Sequence, residues 1–202
     1  MIYKRGSRGE VVRQIQKALH LYPDGIFGAL TEERVKQFQR ENGLKEDGIV
    51  GPATLAKLMP FRITKSKRMI NEIIIHCTAT PEGRECTVDE IRRWHLQRGF
   101  SDIGYHYIVH LNGDLDFGRN VDISGAHCLN HNAHSIGVVY VGGVAKDGRT
   151  PKDTRTQEQK AKLASLLLDL RKLYPKATIH GHRDFANKAC PSFDATKEYS
   201  KF

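Results

Sequence analysis

A chain of 202 residues has room for one medium domain, or a small one followed by a medium one. Its hydrophobic content of 39% and charged content of 27% are those of an ordinary globular protein, and no apolar run is long enough to cross a bilayer, which argues against membrane insertion. The formal charge of +9 divides as +3 over residues 1–60, +4 over residues 61–70 and +2 over residues 71–202. No arginine-rich helix or aromatic-studded motif accompanies that excess, so nucleic acid is not an expected partner.

The N-terminal stretch Met1–Ser7 has basic residues but no apolar region behind them. The expectation is synthesis in the cytoplasm without a signal peptide. Val11, Val12, Ile15 and Leu19 then give a first helix a buried face. Asp24-Gly25-Ile26-Phe27-Gly28 with Thr31 returns 23 residues later as Asp47-Gly48-Ile49-Val50-Gly51 with Thr54. Asp-Gly makes a tight turn, Gly28 and Gly51 are free to take positive φ, and Thr31 and Thr54 stand where helices would begin. Between the two copies, Val35, Phe38 and Leu44 read as the buried side of a second helix and its exit. The echo is either duplicated turn chemistry or the mark of a small three-helix unit with two matching loops.

Residues 61–70 carry four basic side chains and no acidic one, the pattern of a solvated basic linker or of a segment drawn to a polyanionic surface. The pattern then changes to alternating strands and helices. Glu72–Cys77 is a strongly apolar strand that ends on His76 and Cys77. Thr87-Val88-Asp89-Glu90 predicts a capping box opening a helix that Gly99 ends, with Ile91 and Trp94 on its buried side. Gly104–Leu111 alternates as a strand and turns at Asn112-Gly113, and Ser135–Val141 reads as a central strand. Thr156–Gln159 predicts a second capping box, and Leu163, Leu166, Leu167, Leu170 and Leu173 line the helix that follows. A short strand at Ala177–His180 leads into His182-Arg183-Asp184 and on to Lys188-Ala189-Cys190-Pro191. This order predicts an α/β fold with a mixed central sheet flanked by helices over residues 71–202, preceded by a small three-helix domain over 1–60 and a linker over 61–70.

Two imidazoles and a thiol, from His76, His182 and Cys190, make three of the four ligands of a tetrahedral zinc and leave one position for water. That is the donor set of a hydrolytic site. Lys188, two residues before the thiol, is a positive donor for a tetrahedral intermediate, and Tyr105 is a phenol able to hold water or move its proton. Cys77 adjoins a ligand but faces the other side of its strand. Four cysteines are too few for a disulfide scaffold, and whether Cys86 and Cys128 approach each other is open at this level.

Residues 6–59, through Val12, Ile15-Gln16, Leu19, the two Asp-Gly loops, Phe38-Gln39 and Gly43-Leu44, resemble the peptidoglycan-binding domain found beside cell-wall hydrolases. The stretch between Leu19 and Asp24 is shorter than that family usually has. Ile75–Thr80, Ile103–Tyr107, Gly125-Ala126-His127, Asn132 with Ser135–Val138, and Gly181–Asp184 with Lys188–Phe193 appear in one order. They resemble the zinc N-acetylmuramoyl-L-alanine amidases of the phage lysozyme type, relatives of the peptidoglycan recognition proteins. The resemblance implies one zinc ion per chain on His76, His182 and Cys190. It also implies Tyr105 and Lys188 as the catalytic pair, His127 and Thr78 near the substrate, and peptidoglycan as the partner. A wall hydrolase without a signal peptide must leave the cytoplasm another way, so a phage or prophage endolysin acting on the cell wall after release is expected, with a toxin injected by a secretion machine as the alternative. A monomer is expected. Two other readings remain at this stage: a cysteine peptidase with Cys190 as nucleophile, and a peptidoglycan-binding protein without catalysis.

Overall fold

In the computed structural model, which describes residues 2–58 and 63–202, the 23-residue echo is built around two buried glutamines. Helices α1 (Glu10–Ala18), α2 (Ala29–Glu41) and α3 (Pro52–Leu58) make up the N-terminal unit. Gln16 on α1 shares its amide protons among Asp24 Oδ1 at 2.7 Å, the Ile26 carbonyl at 3.0 Å and Thr31 Oγ1 at 3.2 Å. Its carbonyl accepts from Gly25 N–H at 2.8 Å. Gln39 on α2 repeats the pattern with Asp47, Ile49, Thr54 and Gly48 at 2.9–3.0 Å. Each amide thus ties one Asp-Gly turn to the helix after it, which removes the cost of burying so many polar groups. The glycines that need the left-handed region are Gly25 (φ 78) and Gly48 (φ 70), not Gly28, whose φ is −89. The helices begin at Ala29 and Pro52, before the threonines expected to open them, and Thr31 and Thr54 serve the glutamines instead. Val12, Ile15, Leu19, Phe27, Val35, Val50 and Leu58 form this unit's core, with Phe38 at its margin.

The second unit, Ile63–Phe202, is organised by one mixed sheet. Its strands are β1 (Glu72–Cys77), β3 (Tyr107–Val109), β4 (Leu115–Phe117), β5 (Ser135–Tyr140) and β7 (Thr178–Gly181), in the order β4-β3-β5-β1-β7. Only the β3–β4 pair is antiparallel. Strands β2 (Thr80–Pro81) and β6 (Gly143–Val144) form a separate parallel pair beyond the end of β1. Strand β1 lies between β5 and β7 and is buried on both faces, as a near-continuous isoleucine run requires. Alternation sends Ile73, Ile75 and Cys77 towards helix α5 (Gln157–Leu173), where Leu163, Leu166, Leu167 and Leu170 meet them. Helix α4 (Val88–Gln97) covers the opposite face through Ile91, against Ile108, Val139 and Val141. A one-turn helix, α6 (Ala195–Glu198), packs on β7.

The box at Thr156–Gln159 closes in both directions, at 3.1 and 3.0 Å. The expected box at Thr87 forms only half: Thr87 Oγ1 accepts from Glu90 N–H, but the Glu90 carboxylate turns away to Arg84 at 2.6 Å. A charged partner within reach outcompetes a single backbone donor.

The basic stretch does not behave as a solvated linker where it is described; Phe61 and Arg62 lie outside the described residues. Ser66 N–H donates to the Tyr174 hydroxyl, and Ser66 Oγ donates to the Val121 carbonyl at 2.7 Å. Arg68 donates to the carbonyls of Val121, Asn132, Ala133 and Ser135 at 2.8–3.2 Å. A planar fork with five donors suits a cluster of carbonyls, and it straps the segment to the turn before β5 and to the amino end of that strand.

Candidate metal centre

His76 occupies the fifth position of β1 and shares a face with Ile74, so it looks towards the α4 side at the strand's carboxyl end. It is 1% exposed. Strand β7 pairs with β1 in the register Ile75↔Gly181, so the next residue, His182, emerges beside His76 with ring centroids 4.7 Å apart. The loop after His182 folds back because Arg183 N–H donates to the Cys190 carbonyl at 2.7 Å and Gly181 N–H donates to Asp184 at 2.9 Å. Cys190 Sγ arrives 3.8 Å from His76 Nδ1 and accepts from Cys77 N–H at 3.3 Å. One donor atom from each of His76, His182 and Cys190 lies within 4.8 Å of the others. Tetrahedral zinc with bonds of ~2.3 Å to sulfur and ~2.05 Å to nitrogen needs a sulfur–nitrogen separation of about 3.6 Å. The three residues fit.

Their protonation suits the same role. Burial, then His127 and His182, hold the His76 imidazole well below its ordinary value, and burial with Lys188 lowers that of His182. Both rings therefore offer lone pairs at neutral pH. The neighbouring Cys77 thiol and burial push the Cys190 thiol up. A thiolate at Cys190 thus needs a cation beside it, which argues against an unaided cysteine nucleophile. Cys77 is part of the core beneath α5, yet its thiol stays beside that of Cys190 and lies 3.9 Å from Ser192 Oγ, so it is not turned away from the ligand loop as its place on the strand suggests.

His127 lies directly behind His76. It is 8% exposed, and its ring is wedged between the backbones of Gly125 and Gly137. Its Nδ1 lies 3.0 Å from His76 Nε2. An ion held at His76 Nδ1 would place the His76 proton on Nε2, where it would donate to His127 Nδ1. His127 Nε2–H then faces Ser135 Oγ at 3.4 Å, and that hydroxyl donates to the His131 carbonyl at 2.7 Å. A relay of this kind fixes the ligand's tautomer and ring plane from behind.

Tyr105 lines the pocket at this end of the sheet, its ring 5.1 Å from that of His76. Burial, then Cys190, push its phenol up, so it remains a proton donor. Lys188 is exposed, and its charge reaches both His76 and His182. Thr78 lines a small pocket with Ile91, Trp94, His95, Arg98 and Tyr105. Its hydroxyl is already engaged, lying 2.7 Å from Thr80 Oγ1 and accepting from Gly142 N–H at 2.9 Å. It therefore ties the end of β1 to Gly142 while edging the pocket.

One site neighbour was not anticipated. Ile91 is joined on the buried face of α4 by His95 rather than by Trp94, which lies half-buried beneath Arg84. His95 Nδ1 accepts from Gly104 N–H at 2.8 Å, and its ring lies 5.1 Å from that of Tyr105. The i, i+4 spacing from Ile91 was the available signal, and a preference for the larger apolar ring concealed it. Cys86 and Cys128 are both buried free thiols.

Comparison with known proteins agrees with this geometry. Residues 66–193 match the family described as N-acetylmuramoyl-L-alanine amidase, and residues 8–58 match a putative peptidoglycan binding domain. An endolysin of Enterobacteria phage K11 is 42% identical over 124 residues, covering 61% of this chain and 82% of that protein. An endolysin of Escherichia phage T7 is 37% identical over 137 residues, covering 68% and 90%. Among solved structures, the N-acetylmuramoyl-L-alanine amidase LysC from Clostridium intestinale superposes with a TM-score of 0.56 at 25% identity, covering 70% of this chain and 92% of that one. Drosophila PGRP-LB shares the fold at a TM-score of 0.56 and 24% identity, covering 73% and 91%. With the sheet, the His-His-Cys cluster and the matched family all in the same stretch, the chain belongs to the N-acetylmuramoyl-L-alanine amidases and carries a peptidoglycan-binding domain ahead of the amidase domain.

Proposed function

We propose that the protein is a zinc-dependent endolysin-type amidase that cleaves the amide between the lactyl group of N-acetylmuramic acid and L-alanine of the stem peptide. The observation that carries the reading is the convergence of His76, His182 and Cys190 at the carboxyl end of β1, with three soft or borderline donors within 4.8 Å. Zinc held there would polarise the scissile carbonyl and bring the pKa of a water towards ~7. His76 and His182 would hold the ion as neutral rings, and Cys190 would hold it as a thiolate. Tyr105, protonated and close to His76, orients the attacking water or returns a proton to the leaving amine. Lys188 lies beside the ligands on the solvent side, where its ammonium stabilises negative charge developing on the carbonyl oxygen. The N-terminal helical unit holds the polymer and raises the local substrate concentration without altering the chemistry.

The deciding experiment digests purified peptidoglycan with chelated protein, before and after zinc is restored, and reads the products by mass spectrometry. Zinc-dependent release of stem peptides with new L-alanine amino termini, and no new reducing sugar ends, is expected. Cleavage within the peptide, or cleavage indifferent to zinc and sensitive to thiol alkylation, would replace the amidase with a cysteine peptidase. Binding without product would leave a recognition protein.

A further inference from the structure

A second cluster of metal-ligating side chains lies at the other end of β1. Glu72 opens that strand, and four residues at ~3.3 Å each place it about 13 Å from His76 along the same face. His131 Nδ1 is 2.9 Å and His134 Nε2 is 3.4 Å from a single oxygen, Glu72 Oε2. One donor atom from each of the three residues lies within 4.8 Å of the others. A tetrahedral zinc with nitrogen and oxygen bonds of ~2.0–2.1 Å separates its donors by about 3.3 Å. The distances from Glu72 Oε2 to the two rings straddle that value.

The three residues are held in place from outside the cluster. His134 belongs to a single 3-10 turn, Asn132–His134, which His131 precedes, so the two rings lie three residues apart on the same side. Arg68 pins the turn through the carbonyls of Asn132 and Ala133. Asn71 N–H, next to Glu72, donates to the His134 carbonyl at 3.0 Å. The His131 ring stacks on Phe185 with centroids 3.9 Å apart. The side chains of Glu72, His131 and His134 are 17%, 25% and 36% exposed, so an ion from solvent reaches them without a structural opening.

The geometry points to a second divalent transition-metal site at Glu72, His131 and His134, separate from the His76–His182–Cys190 centre. Two imidazoles and one carboxylate suit zinc, cobalt or nickel, and water completes the shell. With no thiolate and more solvent, this site binds more weakly than the first. It also bears on the first, because Phe185 follows directly on the turn that contains His182. A metal on His131 therefore braces the ligand loop from the outside.

The test titrates the chelated full chain with Co2+ and, separately, with Zn2+ at buffered micromolar free metal. Metal content and visible spectra are read for wild type, Cys190→Ser, His134→Ala and Glu72→Gln. Wild type should bind two ions. Cys190→Ser should retain one, with cobalt d–d bands but no thiolate-to-cobalt charge transfer. His134→Ala and Glu72→Gln should each retain one, keep the charge-transfer band, and still hydrolyse peptidoglycan, which shows that both variants are folded. The affinity of the second ion should fall at least tenfold in each. Saturation of wild type at one ion would overturn the assignment. So would a second ion whose affinity Glu72→Gln and His134→Ala leave unchanged, since that is adventitious uptake by other histidines.

Discussion

Gly137→Ala tests whether His127 supports the metal centre. Gly137 lies in the middle of β5, opposite Ile74 of β1. A Cβ placed there would stand 2.5 Å from His127 Cδ2 and 2.7 Å from Cγ, about 0.9 Å inside ordinary contact. The Gly125 backbone also crowds the ring, and the strand cannot step back without breaking pairing with both β1 and β3. Overpacking of a rigid core costs roughly 1–3 kcal/mol. Displacing the ring also loses the 3.0 Å bond to His76, worth about 1 kcal/mol. The amidase domain should therefore lose roughly 2–4 kcal/mol in urea denaturation of the metal-free protein. With His76 no longer held from behind, zinc affinity measured against a chromophoric chelator should fall by about 10–100-fold. Gly51→Ala is the control, since a Cβ at that position meets nothing within 4 Å. A Gly137→Ala protein with wild-type stability and zinc affinity would refute the packing argument and the supporting role of His127 together.

Three further outcomes follow from the same structure. Gln39→Leu strands Gly48 N–H and takes one donor each from Asp47, the Ile49 carbonyl and Thr54, so it should destabilise the N-terminal unit by roughly 1–3 kcal/mol. Cosedimentation with sacculi should drop while hydrolysis of soluble muropeptides persists, and unchanged cosedimentation would count against the glutamine as the organiser of the loops. His106 is fully buried and pushed down to about 4 by burial, with its Nδ1 accepting from Gly137 N–H. Between pH 6.5 and 4 the unfolded chain binds the extra proton, so this contribution is complete above 6.5 and is lost as pH falls, up to roughly 3 kcal/mol. Urea midpoints that do not move between pH 7.5 and 4.5 would contradict it. Tyr105→Phe and Lys188→Ala should each keep stoichiometric zinc at the catalytic centre yet lose about 10²–10⁴ in rate. A variant with full rate would take its residue out of the mechanism.

The sequence by itself determined the alternation of elements and the donor set. The isoleucine run of β1, the leucine spacing of α5 and the Thr156–Gln159 box are local signals of burial period and capping, and the structure uses each of them. His76, His182 and Cys190 were legible because their chemistry is specific, and because His76 lies near the end of β1 and His182 directly follows β7, although Cys190 comes from the loop beyond. The 23-residue echo was legible too, but not its cause: Gln16 and Gln39 matter through bonds to residues 8 to 15 positions away. Arg68 looked like a solvated charge because its four carbonyl partners lie 53 to 67 residues further along the chain. Nothing in Gly125-Ala126-His127 reveals that Gly137 leaves a slot for the His127 ring behind His76. Glu72, His131 and His134 carry no motif at all, and only the pairing of β1 with β5 brings the start of one strand to the turn before the other. Residue type and period set which groups are buried and which are reactive. Strand register decides which of them meet.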